Sequence, residues 1–286
     1  MAQLVARFVR IEEVRSSNLL SSTQKPEGPR PRRGPSAFPG SDQGIPQARA
    51  PRYSRAMPPY ERPVIAEVVV RGEDGQVIPY GERWEDGPPD DTYSVTSHLE
   101  RFAPLHTVAD ALIAHLVETY DVEVSEGPEV VAAVVAERAV ERGSAPLAQP
   151  DEDFLVRVVR LVPRGVHGAP LAFVFTNFPG VLLRAGLMQE FGIPSCGCDA
   201  CDETWEGGAE DLEGTVLAIV AGMYREFVQL IPSLWFGYEL ETADGGSWRS
   251  SGRWNDRALA GRAGAVRMAK ALREPWEPWP LRAERP

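Results

Sequence analysis

Two nearly continuous apolar runs, residues 154–162 and 171–176, constrain this chain more than any other feature of it. Runs of that length bounded by turn residues fit well-buried strands. Other strands are expected at residues 64–71 and 76–78, separated by the turn Glu73-Asp74-Gly75, and at residues 120–124. Another, at 181–184, follows a turn at 177–180, and residues 234–241 and 247–249 flank Asp244-Gly245-Gly246 as a hairpin. Four helices accompany them. Thr107-x-x-Asp110 reads as a capping box opening a helix with Val108, Leu112, Ile113, Leu116 and Val117 on one face. Pro128 and Gly143 bracket a second helix at 129–142. A third, at 209–230, buries Leu212, Val216, Ile219, Val220, Met223 and Phe227 and carries Glu210 and Asp211 in its first turn. The last, at 255–273, starts at Asn255 and is stopped by Pro275. Strands and helices do not alternate as regular βαβ units. The pattern therefore predicts an α+β fold, a single domain with mainly antiparallel strands.

Composition divides the chain near residue 57. Residues 1–56 hold ten arginines or lysines against four acids, a net of +6, and are rich in Pro, Gly and Ser from residue 24 on. Such a stretch buries too little apolar surface to offset its ordering entropy, so a disordered basic leader is expected. Ser16-Ser17-Asn18-Leu19 is compatible with codons resembling the T-arm of a transfer-RNA gene, which predicts a translation start at or just before Met57. Residues 57–286 hold 20 basic against 37 acidic residues, a net of −17. An acidic body without a basic stripe argues against nucleic acid. No apolar run reaches the roughly 20 residues of a membrane span, and no signal peptide is recognisable, so a cytoplasmic protein is expected.

All three cysteines lie in Cys196-Gly197-Cys198-Asp199-Ala200-Cys201. Thiolates at C-x-C-x2-C spacing can converge on one soft ion, zinc first. Zinc prefers four ligands, so His98, His106, His167, Asp202 or Glu203 is a candidate for the fourth. Residues 199–213 contain seven acids and no base, a field that attracts a cation and raises thiol pKa values. Inert packing thiols and redox chemistry remain as alternatives.

Other signals are weaker. The four histidines, His98, His106, His115 and His167, each read as ordinary surface or hydrogen-bonded residues when taken singly. Trp276 and Trp279 are expected to dock the Pro-broken tail onto the body. The acidic loop at 85–91 reads as a solvated loop. There is no Gly-rich phosphate loop, dinucleotide fingerprint, H-E-x-x-H or G-x-S-x-G.

Several motifs carry a resemblance: Tyr60-x-Arg62-Pro63, Val77-Ile78-x-Tyr80-Gly81-x-Arg83-Trp84, Tyr93-Ser94-Val95, the run at 100–106, Tyr120-Asp121-Val122, Phe178-Pro179-Gly180 and the segment at 196–203. From Met57 onward the chain resembles a family of uncharacterised proteins from GC-rich bacteria, a domain of unknown function. The resemblance implies a unit of about residues 57–286 and no particular reaction.

Two functional readings follow. The first is a non-catalytic binding or interaction domain, with a protein partner and a structural zinc in the cysteine loop. The second is a metal-dependent hydrolase-like enzyme in which the cysteines hold an open-site ion and Glu203 or a histidine serves as base.

Overall fold

The computed structural model describes residues 59–141, 154–231, 234–242, 245–253 and 261–283. The expected leader and Asn255 lie outside them. The fold is α+β.

Five antiparallel strands form a meander in chain order: β1 (Val122–Glu126), β2 (Leu155–Pro163), β3 (Leu171–Thr176), β4 (Val181–Ala185) and β5 (Gln189–Ile193). All six residues of β3 are buried, as its uninterrupted apolar sequence requires. Pleating sorts the side chains into two layers. Val159, Phe173 and Leu183 are register partners across β2, β3 and β4 and lie in the main core with α1 (Pro104–Thr119) and α3 (Trp205–Val220). Their neighbours Val158, Val174 and Leu182 face the other way and pack with Val134 of α2 (Pro128–Glu141). Each fully buried side chain of this size contributes about 1.5–3 kcal/mol. A second antiparallel sheet consists of β6 (Tyr224–Gln229), β7 (Trp235–Glu241) and β8 (Ser247–Arg253), followed by α4 (Gly261–Ala271). The main core cluster runs from Phe102 through Leu240 to Trp279 and so draws on both sheets, while the smaller cluster lies under α2. Among the described residues no helix is long and apolar enough to cross a membrane.

Several expectations need correction. Residues 64–71 form no strand; only the bridge between Arg71 and Val77 forms, closing the anticipated turn, with Ile78 N donating to Val70 O at 2.9 Å. Val64 and Val69 of this segment stay exposed. The first helix starts three residues before Thr107, with Pro104 in the first turn and no side-chain cap. Proline suits that place because its missing N–H would have no partner there. The third helix starts and stops early. Thr204 is its N-cap, accepting from Gly207 N at 3.2 Å, and Glu206 is its first-turn acid in place of Glu210 and Asp211. Gly222, at φ 74, ends it, and the chain re-enters as β6. The strand β5 has no counterpart among the strands expected from the sequence. The hairpin and the docked tail match expectation: Trp276 and Trp279 are buried, and the Trp279 indole donates to Ala169 O at 2.9 Å.

Candidate metal centre

The cysteines sit in the connection between β5 and α3. Gly197 gives the loop its path, because a Cβ there would lie 2.2 Å from Cζ of Phe178. Cys201 N closes a turn on Cys198 O at 3.2 Å, and Asp202 takes a left-handed φ of 54°. An irregular strap, residues 80–101, is laid over the loop. Asp199 N donates to Val95 O at 2.7 Å and Ala200 N to Thr92 O at 3.2 Å. The Asp199 carbonyl accepts from Arg83 Nη2 at 2.5 Å and from the Trp84 indole at 3.0 Å.

The turn brings the three sulfurs together. Cys198 Sγ lies 3.2 Å from Cys196 Sγ and 3.3 Å from Cys201 Sγ, and all three atoms fall within 4.8 Å of one another. The thiols are free, with separations well beyond a disulfide bond of about 2.05 Å. Sulfurs sharing one tetrahedral zinc at about 2.3 Å stand about 3.8 Å apart, so small outward movements would converge these three on a single ion. Cys198 is buried, Cys196 half-buried and Cys201 exposed.

The electrostatics differ from the acidic field read along the chain. Two arginines distant in sequence enter the site. Arg83 pairs through Nε with Asp202 Oδ1, and its backbone N–H donates to Oδ2 at 2.9 Å. Arg101, 2% exposed, donates to the carbonyls of Ser97, His98 (3.3 Å), Gly197 (3.1 Å) and Glu203 (3.4 Å). Both guanidinium carbons lie over the Tyr80 ring, 3.9 and 4.1 Å from its centroid. Burial pushes the Cys196 thiol up to about 11 and raises that of Cys201 as well. Burial also pushes Cys198 upward, but hydrogen bonds from the flanking thiols and from backbone N–H groups outweigh it and bring this thiol below its ordinary value. The upward shifts thus arise from burial rather than from the acids, and Cys198 moves the other way.

The candidate fourth ligands are placed as follows. Asp202 is held by Arg83. Glu203, its pKa raised by burial, accepts from the Ser195 hydroxyl and from Cys196 N at 3.1 Å. His98 pairs with Glu100 at 3.2 Å. His106 Nε2 is 3.1 Å from Gly180 O and its ring meets Phe175 edge-on. His167 stacks on Trp276 with ring centroids 4.5 Å apart. Among the described residues, the mutually close ligand atoms are the three sulfurs alone.

Tyr80, Arg83, Trp84 and Arg101 had no assigned role in the sequence, although all belong to motifs that carry the family resemblance. Five of the seven motifs converge here: the strap at 80–84 and 93–95, Arg101, Phe178 against Gly197, and the cysteine loop itself. No curated protein and no solved structure matches the chain. A family model does match, over residues 66–283, and with the strap, core and cysteine loop all inside that span the chain belongs to DUF6226, a family of unknown function.

Proposed function

We propose that residues 57–286 act as one cytoplasmic binding or interaction domain without catalytic chemistry of its own. In it Cys196, Cys198 and Cys201 hold a soft cation, zinc first, that fixes the conformation of the loop. The observation that carries this reading is the meeting of three free sulfurs within 4.8 Å. Two further features support it. Arg101 is a buried cation hydrogen-bonded to carbonyls, with Asp199 and Asp202 favouring its charge from a distance. A divalent ion on three thiolates carries one net negative charge, which would add to that of the two acids in offsetting a buried cation. Reduced thiols also suit a reducing compartment. The proposed partner is a protein.

Metal analysis of the full chain, purified under reducing conditions, tests the metal part. The expected content is about one equivalent of zinc, lost together with several degrees of melting temperature in Cys198→Ser. Less than about a tenth of an equivalent of any soft metal in the wild type, with unchanged melting in the variant, removes it.

A further inference from the structure

Among the described residues, the cysteine loop offers an ion three mutually close sulfurs and no fourth such donor. We infer that an ion bound there takes its fourth ligand from outside the fold, a soft monodentate donor such as a low-molecular-weight thiol, and that the site exchanges ligands through the Cys201 side. This rests on the metal reading proposed above and adds to it.

The argument is one of geometry and accounting. Structural zinc sites are closed by four protein ligands, whereas a site with three keeps one position for an outside ligand. The nearby carboxylates that could have closed this one are engaged, Asp202 by Arg83 and Glu203 by Ser195 and Cys196 N–H. The candidate histidines His98, His106 and His167 are engaged elsewhere. The sulfurs are also unequally covered. Cys198 is 3% exposed, and its neighbours in the loop are covered by the strap, Asp199 bonded to Val95 and Trp84 and Gly197 to Arg101. Cys201 is exposed. The most open approach for an incoming donor is therefore past Cys201, with Cys196 half-buried beside it. A soft ion prefers sulfur, so a thiolate is the fitting class. On binding, the thiol gives its proton to solvent and forms a metal–sulfur bond. If the ion then leaves with it, the bonds to Cys201, Cys196 and Cys198 all break and each sulfur takes up a proton from solvent. No electron changes hands.

Cobalt(II) reports coordination directly. The reduced full chain, loaded with cobalt under inert gas, is titrated with 2-mercaptoethanol and separately with imidazole. The expected result is a sulfur-to-cobalt charge-transfer band, with ligand-field bands that shift saturably as either donor is added. Release to a coloured chelator should proceed at a rate proportional to chelator concentration, a tenfold increase giving about tenfold faster transfer. Glu203→Gln should leave the cobalt spectrum unchanged. A charge-transfer band that ignores both donors, with release independent of chelator, overturns this inference and leaves the metal reading standing. A spectrum altered in Glu203→Gln overturns it too, by making Glu203 the fourth ligand. Absence of any charge-transfer band overturns both.

Discussion

Arg101 carries its positive charge into the interior and spreads it over backbone oxygens from three segments: Ser97 and His98 in the strap, Gly197 in the cysteine loop, and Glu203 at the approach to α3. A planar fork with five donors can reach all of these at once, while an ammonium is a single point. Arg101→Lys should therefore cost about 2–4 kcal/mol, since it leaves carbonyls unpaired around a buried cation. Urea unfolding measures this, and a cost below about 0.5 kcal/mol would be that of a surface arginine. Nothing in the sequence says that this arginine goes inside, because arginines are rarely buried. The acids at 199–213 could be counted along the chain, but Arg83 and Arg101 lie about a hundred residues upstream and only the fold sets them against the loop. The cysteine cluster was legible for the opposite reason: its partners are local, three sulfurs within six residues.

Two glycines of the α3 region separate helix chemistry from chain reversal. Gly222 sits at φ 74, and a Cβ there would meet Pro278 N at 2.8 Å as well as the proline ring. Gly222→Ala combines left-handed strain with a clash against the tail and should cost about 2–4 kcal/mol. Gly214 lies inside α3 with nothing within 4 Å of a built Cβ. Gly214→Ala should stabilise by about 0.5–1 kcal/mol, because alanine is the better helix former and has less unfolded freedom to lose. Thermal melts of the pair check both signs. The same region shows why one element was misread. Met223 and Phe227 continue the 3.6-residue spacing of the helix face, so periodicity alone carries the helix past its end. The strand that replaces it buries Tyr224 and Glu226. A buried glutamate goes against every patterning rule. It is tolerated because the backbone N–H groups of Leu187, Met188 and Gln189, at 2.7–3.1 Å, and the Trp276 indole converge on its two oxygens. Burial pushes its carboxyl above the usual range while those donors pull the other way. The meander was more legible, since its turn residues and apolar runs are contiguous in sequence.

The last part of the chain finishes a core begun by the first helix. Leu281 bridges to Tyr120 at the end of α1, and Pro280 O accepts from Asp121 N at 2.8 Å beside the start of β1. Trp279 N donates to Val220 O at the end of α3, and Glu277 N to His167 O in the β2–β3 connection. Trp276 and Trp279 bring two large side chains into the main cluster, each with its indole N–H satisfied. A tail that only covered a finished core would touch one element; this one joins α1, β1, α3 and β6 to the 167–169 turn. Its removal should therefore unfold the molecule as a whole. Trp279→Ala should cost about 3–5 kcal/mol, the range for deleting a large buried aromatic. Trp279→Phe should cost only about 1–2 kcal/mol, since a ring remains while the Ala169 carbonyl loses its donor. Equilibrium urea unfolding, followed in parallel by far-ultraviolet circular dichroism and tryptophan fluorescence, separates the possibilities. If the tail is part of the core, the two probes shift together in Trp279→Ala with an unchanged m-value. If the tail merely rests on it, fluorescence changes at low urea while the dichroism midpoint stays within about 1 kcal/mol of the wild type.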